Sequence, residues 1–107
     1  MNFYTGSGTT PVEVSPGVKR AIRAHGGGLM LVEVWFEKGA KAAVHTHPHE
    51  QATYVMEGRL KLTVEGEDVV LEKGDSIYIP PEAPHSAEAL EATRLLDVFS
   101  PQREDFL

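Results

Sequence analysis

At 107 residues the chain has the length of one compact domain and leaves no room for a second core. Its 41% hydrophobic and 24% charged residues exclude a disordered or membrane-embedded protein, and 10 Lys+Arg against 16 Asp+Glu, a formal charge of -6, argue against a nucleic-acid partner. With no cysteine, disulfides and thiolate sites are excluded, and any bound metal must take imidazole or oxygen ligands.

The opening MNFYTGSGTT is polar, without a basic n-region or an apolar h-region, and no apolar run is long enough to cross a bilayer. A cytoplasmic protein with no membrane partner is expected, with residues 1–15 as an N-terminal arm. Alternating and β-branched runs then predict short strands at Leu29 to Glu37, Ala52 to Met56, Leu60 to Val64, Asp68 to Leu71, Ser76 to Ile79 and Thr93 to Phe99. Turn-forming stretches separate them: Gly26-Gly27-Gly28, Lys38-Gly39, Glu57-Gly58, Glu65-Gly66-Glu67, Lys73-Gly74-Asp75 and the proline-rich PPEAPH. Such regular spacing predicts an all-β sandwich or barrel over about residues 29–100. SAEALEAT is the best local helix candidate, but it is short and lies between strand signals, so a turn or strand entry is expected there.

The segment HTHPHEQ holds three of the five histidines. In extended chain, alternate side chains share a face, so His45 and His47 point together. Pro48 breaks the ladder, which makes His49 a poor third ligand. The strand resumes with Gln51, Thr53 and Val55 on one face, so Gln51 can meet the two imidazoles, while Glu50 turns to the other face and belongs to the rim. Any fourth group must come from elsewhere, and His85 is the natural candidate. Spacing alone leaves an exposed histidine pair as an equal alternative to a metal site. His25, in AHGGG, is expected to be a surface or hydrogen-bonded histidine.

The register resembles the two signature motifs of the cupins, small jelly-roll barrels. Gly39, His45, His47, Gln51 and Gly58 fall in the first motif, with Gln51 where the family has an acidic residue. Gly74, Pro80 and His85 fall in the second, with Glu82 and Ala89 replacing a glycine and an asparagine. The resemblance implies a metal held by His45, His47, Gln51 and His85. A neutral amide in place of a carboxylate leaves the ion's charge undiminished, favouring an anionic substrate. Histidine and amide ligands suit Ni, Zn, Fe, Mn or Co.

A closer resemblance covers nearly the whole chain: MLVEVWFEKGA, AVHTHPHEQATYVMEGRL, GDSIYIPPEAPH and LLDVFSPQREDFL are similar to the pectin-degradation cupins of the KdgF type. It implies a metal-dependent enzyme of uronate metabolism that converts 4,5-unsaturated monouronates, the products of pectin or alginate lyases, to linear ketonised uronates. It also implies roles for Asp97, Phe99 and Arg103, and a homodimer. An oxygenase or a non-catalytic sugar-acid binding cupin is the alternative reading.

Taken from the residues themselves, alternation puts Thr93, Leu95, Asp97 and Phe99 on one face. A carboxylate in that apolar run either finds hydrogen bonds or a basic partner, or has its pKa raised toward the range that suits proton transfer. Phe99 can wall a sugar ring or pack the core. Arg103 can grip a carboxylate bidentately or pair with Glu104 or Asp105. Trp35 is expected in packing or a subunit contact.

Overall fold

The computed structural model describes all of residues 1–107. Ten strands form two antiparallel sheets: β1 (Val12–Ser15), β2 (Val18–Gly26), β3 (Leu29–Phe36), β4 (Lys41–His45), β5 (Glu50–Glu57), β6 (Arg59–Val64), β7 (Glu67–Glu72), β8 (Ser76–Ile79), β9 (His85–Ala89) and β10 (Thr93–Ser100). The larger sheet has the order β1-β2-β3-β10-β5-β8 and the smaller β4-β9-β6-β7. Each crossover carries the chain from one sheet to the other, giving the jelly roll that cupins share. One turn of 3-10 helix, Glu104–Phe106, follows β10.

Alternation explains the inner faces. Met30, Val32, Val34 and Phe36 of β3 are buried, and Val55, Leu60, Leu62, Leu95 and Phe99 complete a core drawn from both sheets. Along the central pair β5 and β10 this inward row changes character. Val55 faces Leu95, Thr53 faces Asp97, and Gln51 faces Phe99, so the layer is apolar at one end and polar at the other.

The six predicted strands are all present, but four others join them. The larger sheet extends before residue 29: β2 pairs with β3 from Val18 to Gly26, and β1, within residues 1–15, pairs with β2. Charged KRAIRAH hides the alternation of β2, and β4 has four of its five residues exposed, so neither displays a buried stripe. SAEA lies in β9, where β4 on one side and β6 on the other supply the backbone partners that outweigh its helical pattern.

Two tight positions hold the loops. At Gly58 φ is +97° and an added Cβ would collide with the carbonyl of Ala92, so only glycine fits the turn from β5 to β6. Glu82 has φ of +65°, the left-handed region that glycine enters freely, and its N–H donates to the His47 carbonyl at 2.8 Å. The departure from glycine at Glu82 therefore keeps the loop geometry, at some conformational cost.

Candidate metal and catalytic site

His45 and His85 are cross-strand partners on β4 and β9, with ring centroids 4.1 Å apart. His47 sits in the loop after β4, its ring 4.9 Å from His85 and 5.9 Å from His45. One nitrogen from each of the three comes within 4.8 Å of the others. The Nδ1–H groups donate to the carbonyls of Ala43 at 2.8 Å, His49 at 3.0 Å and Ala83 at 2.8 Å. Each carbonyl lies two residues from its histidine, so local backbone fixes the tautomer and leaves every Nε2 with a bare lone pair.

Burial holds the His47 and His85 imidazoles below the ordinary histidine range, and the charge of Arg103 adds to it, so both imidazoles are neutral near pH 7. The Nε2 of His85 is buried with no hydrogen-bond partner. An orphaned acceptor of this kind is unfavourable unless something cationic or protic meets it.

Gln51 approaches from the other sheet. Its amide nitrogen donates to Thr53 Oγ1 at 3.0 Å and Asp97 Oδ1 at 3.1 Å, which aims its Oε1 at His47 Nε2, 2.9 Å away. Two lone-pair atoms thus face each other beside the orphaned His85 nitrogen. A divalent cation fits this set of three imidazoles and one amide oxygen.

Asp97 lies behind the amide. The hydroxyl of Thr53, its cross-strand partner, donates to Oδ1 at 2.6 Å. Asp97 is half-buried and lines a cavity between the sheets. Burial pushes its pKa up to about 6, against the opposing pull of the Thr53 and Gln51 hydrogen bonds and of Arg103. A carboxyl so placed takes up and gives back a proton near neutral pH.

Phe99 is buried and meets both His47 and Phe106 edge-on, with ring centroids at 5.6 and 5.7 Å. Arg103 does two things at once. Its Nε and one terminal nitrogen donate to Asp105 at 3.0 and 2.8 Å, and its guanidinium lies 5.0 Å from the centre of the Phe99 ring and 4.2 Å from that of Phe106. These groups border a cavity of about 250 Å³ between the sheets.

The other candidates fall elsewhere. His49 packs near His47 and Phe99 but is outside the convergent nitrogens. Glu50 is exposed and accepts from the Tyr78 hydroxyl at 2.7 Å. His25 pairs with Gln102 at 2.8 Å, and Trp35 lies on the outward face of β3, with Arg23 5.9 Å from its ring centre. Thr53, Arg20 and Phe106 are cavity residues that sequence reasoning did not single out. The shared face of Gln51 and Thr53 is legible in the alternation, whereas Arg20 is not, because β2 is not.

Comparison with known proteins gives concordant results. The cupin domain model matches residues 32–99. The pectin degradation protein KdgF of Dickeya dadantii is 39% identical over 97 residues, spanning 89% of this chain and 88% of that protein. Among solved structures, KdgF from Halomonas sp. superposes with a TM-score of 0.94 at 38% identity, over 100% of this chain and 99% of that one. An RmlC-like cupin from Shewanella frigidimarina gives 0.94 at 40% identity, over 100% and 96%. Salicylate 1,2-dioxygenase from Pseudoaminobacter salicylatoxidans gives 0.79 at 23% identity, over 83% of this chain and 26% of that one, a likeness of fold alone.

Proposed function

The chain belongs to the cupin domain family and, within it, to the group of the pectin degradation protein KdgF, and on that footing we propose that it converts 4,5-unsaturated monouronates to linear ketonised uronates. The observation that carries this reading is the chain of contacts from Asp97 through the Gln51 amide to His47. It links a carboxyl poised near neutrality to a set of metal donors across one cavity. A sensor that only bound sugar acids would have no need of it.

The substrate is a cyclic hemiacetal whose ring oxygen is also an enol-ether oxygen conjugated with a carboxylate. Asp97 takes the proton from the anomeric hydroxyl as the bond between the anomeric carbon and the ring oxygen breaks, giving an aldehyde and an enolate. It then returns that proton to the enolate carbon, and the ketone forms. A divalent ion held by His45, His47, His85 and Gln51 supplies, when bound, Lewis acidity for the substrate's oxygens. Phe99 packs against the ring and helps exclude water, and Arg103 contributes positive charge beside the carboxylate. The donor set admits Ni, Zn, Fe, Mn or Co. A symmetric homodimer is part of the same proposal, on the general habit of small oligomers.

The deciding experiment is incubation with unsaturated galacturonate monomer, following loss of the conjugated alkene absorbance with and without chelator. Acceleration that disappears on chelation is expected. Absence of acceleration by the metal-loaded protein defeats the reading, and oxygen consumption during turnover replaces it with an oxygenase.

A further inference from the structure

The chain has five arginines. Four of them form ion pairs: Arg23 with Glu33, Arg59 with Glu72, Arg94 with Glu33 and Glu57, and Arg103 with Asp105. Arg20 is the exception, and it is also the one on an inner strand face. Its cross-strand partner on β3 is the buried Val34, and its neighbours on the same face of β2, Val18 and Ile22, pack in the core.

Placing an unpaired guanidinium in an apolar row is unfavourable unless its donors find acceptors. The protein offers Arg20 only partial relief. Its guanidinium lies 3.5 Å from the centre of the Phe106 ring, a cation–π contact that attracts the charge but accepts none of the in-plane N–H groups. The planar fork borders the same cavity as His45, His85, Gln51 and Asp97, on a different wall. Burial and the nearby Arg103 both disfavour the charge on Arg20, only partly offset by Asp105. The cavity thus holds a cation that gains from an incoming anion.

Arg103 differs in just this respect. Its bidentate pairing with Asp105 already satisfies one edge of its fork and offsets its charge. We propose that Arg20 is the residue that grips the substrate carboxylate in this cavity, with Phe106 holding its guanidinium plane in position. The assignment rests on the uronate reading above and makes that reading more specific. The metal donors lie on β4, β5, β9 and the loop after β4, while Arg20 supplies an anion clamp from β2, so the two ends of a sugar acid have separate partners. A bidentate guanidinium–carboxylate pair also gives orientation that a single ammonium does not.

The test uses metal-loaded full-length protein and two probes, galacturonate and its neutral counterpart galactose, with calorimetric binding beside turnover of unsaturated galacturonate. Arg20→Gln is expected to weaken galacturonate binding and raise KM by about tenfold or more, the worth of one charge-assisted hydrogen-bonded pair. Galactose binding and metal content should stay at wild-type values. Arg20→Lys, which keeps the charge and the stem without the fork, serves should the glutamine variant fail to fold, and a severalfold loss is expected from it. Wild-type galacturonate affinity in the soluble variant overturns the Arg20 assignment while leaving the uronate reading standing. Wild-type protein that neither binds galacturonate nor converts the unsaturated sugar overturns both.

Discussion

On the wall built from β4, β9 and the loop after β4, each imidazole is held by a carbonyl two residues away in the chain. On the facing wall, Asp97 is held by Thr53 and Gln51, 44 and 46 residues distant. The first wall is oriented by local backbone, and the second exists only where β5 and β10 pair. That difference separates two tasks. Local anchoring presents the three imidazole lone pairs in a fixed direction, while the amide oxygen of Gln51 takes its direction from the second wall. Long-range anchoring buries a carboxyl among groups that tune its proton affinity.

Removing a donor from the histidine wall has the largest expected effect. His85→Ala takes away the buried Nε2 and should abolish both metal content, read by elemental analysis, and turnover. A variant that retains metal and activity breaks the idea that this wall is the metal wall. Next is Asp97→Asn, which leaves the histidine wall intact. Turnover should fall by about 10²–10⁴-fold, the usual contribution of a positioned acid–base group, with metal retained. Parallel loss of metal would merge the two walls into one task.

Thr53→Val probes the same wall more gently. It deletes the 2.6 Å hydrogen bond that pulls the Asp97 pKa down, so the pKa should rise above about 6 and the acidic limb of the rate profile should move to higher pH. The stability cost is about 1–3 kcal/mol, from leaving a buried acceptor short of a donor.

Stability of the metal-free protein gives an independent measure. The folded Asp97 binds its proton more tightly than an unfolded aspartate, so its contribution is fully favourable below pH 3.8 and is lost as pH rises to about 6. Across that window Asp97→Asn should gain on the wild type, by up to about 3 kcal/mol, and chemical denaturation at pH 4, 5, 6 and 7 reads the difference. A constant difference would mean that Asp97 is not desolvated as its position implies.

The smallest effect belongs to the loop that carries His85. Glu82→Gly relieves the left-handed backbone and should raise stability by about 1 kcal/mol, with metal content unchanged. A destabilised variant would show that the Glu82 side chain contributes more than its backbone strain costs.

Much of the site is legible before folding because its parts are local. Alternation pairs His45 with His47 and aligns Gln51 with Thr53, and Pro48 separates His49 and Glu50 from that face. The strands that show a buried stripe, such as β3 and β10, are legible for the same reason. Strands without one are not: β4 is mostly exposed, and β2 carries Arg20 in an interior row where a hydrophobic residue is the usual choice.

The sequence by itself determined the candidate donors. HTHPHEQ and His85 carry the residue types and spacing, and carbonyls two residues away set the direction of each ring. Tertiary structure alone decided that Asp97 is shielded and tied to Gln51, that Arg103 is paired with Asp105, and that Arg20 is left unpaired over Phe106. The physical reason is range. Strand alternation and backbone anchoring act within a few residues, whereas desolvation and charge pairing depend on which distant segments close around a group.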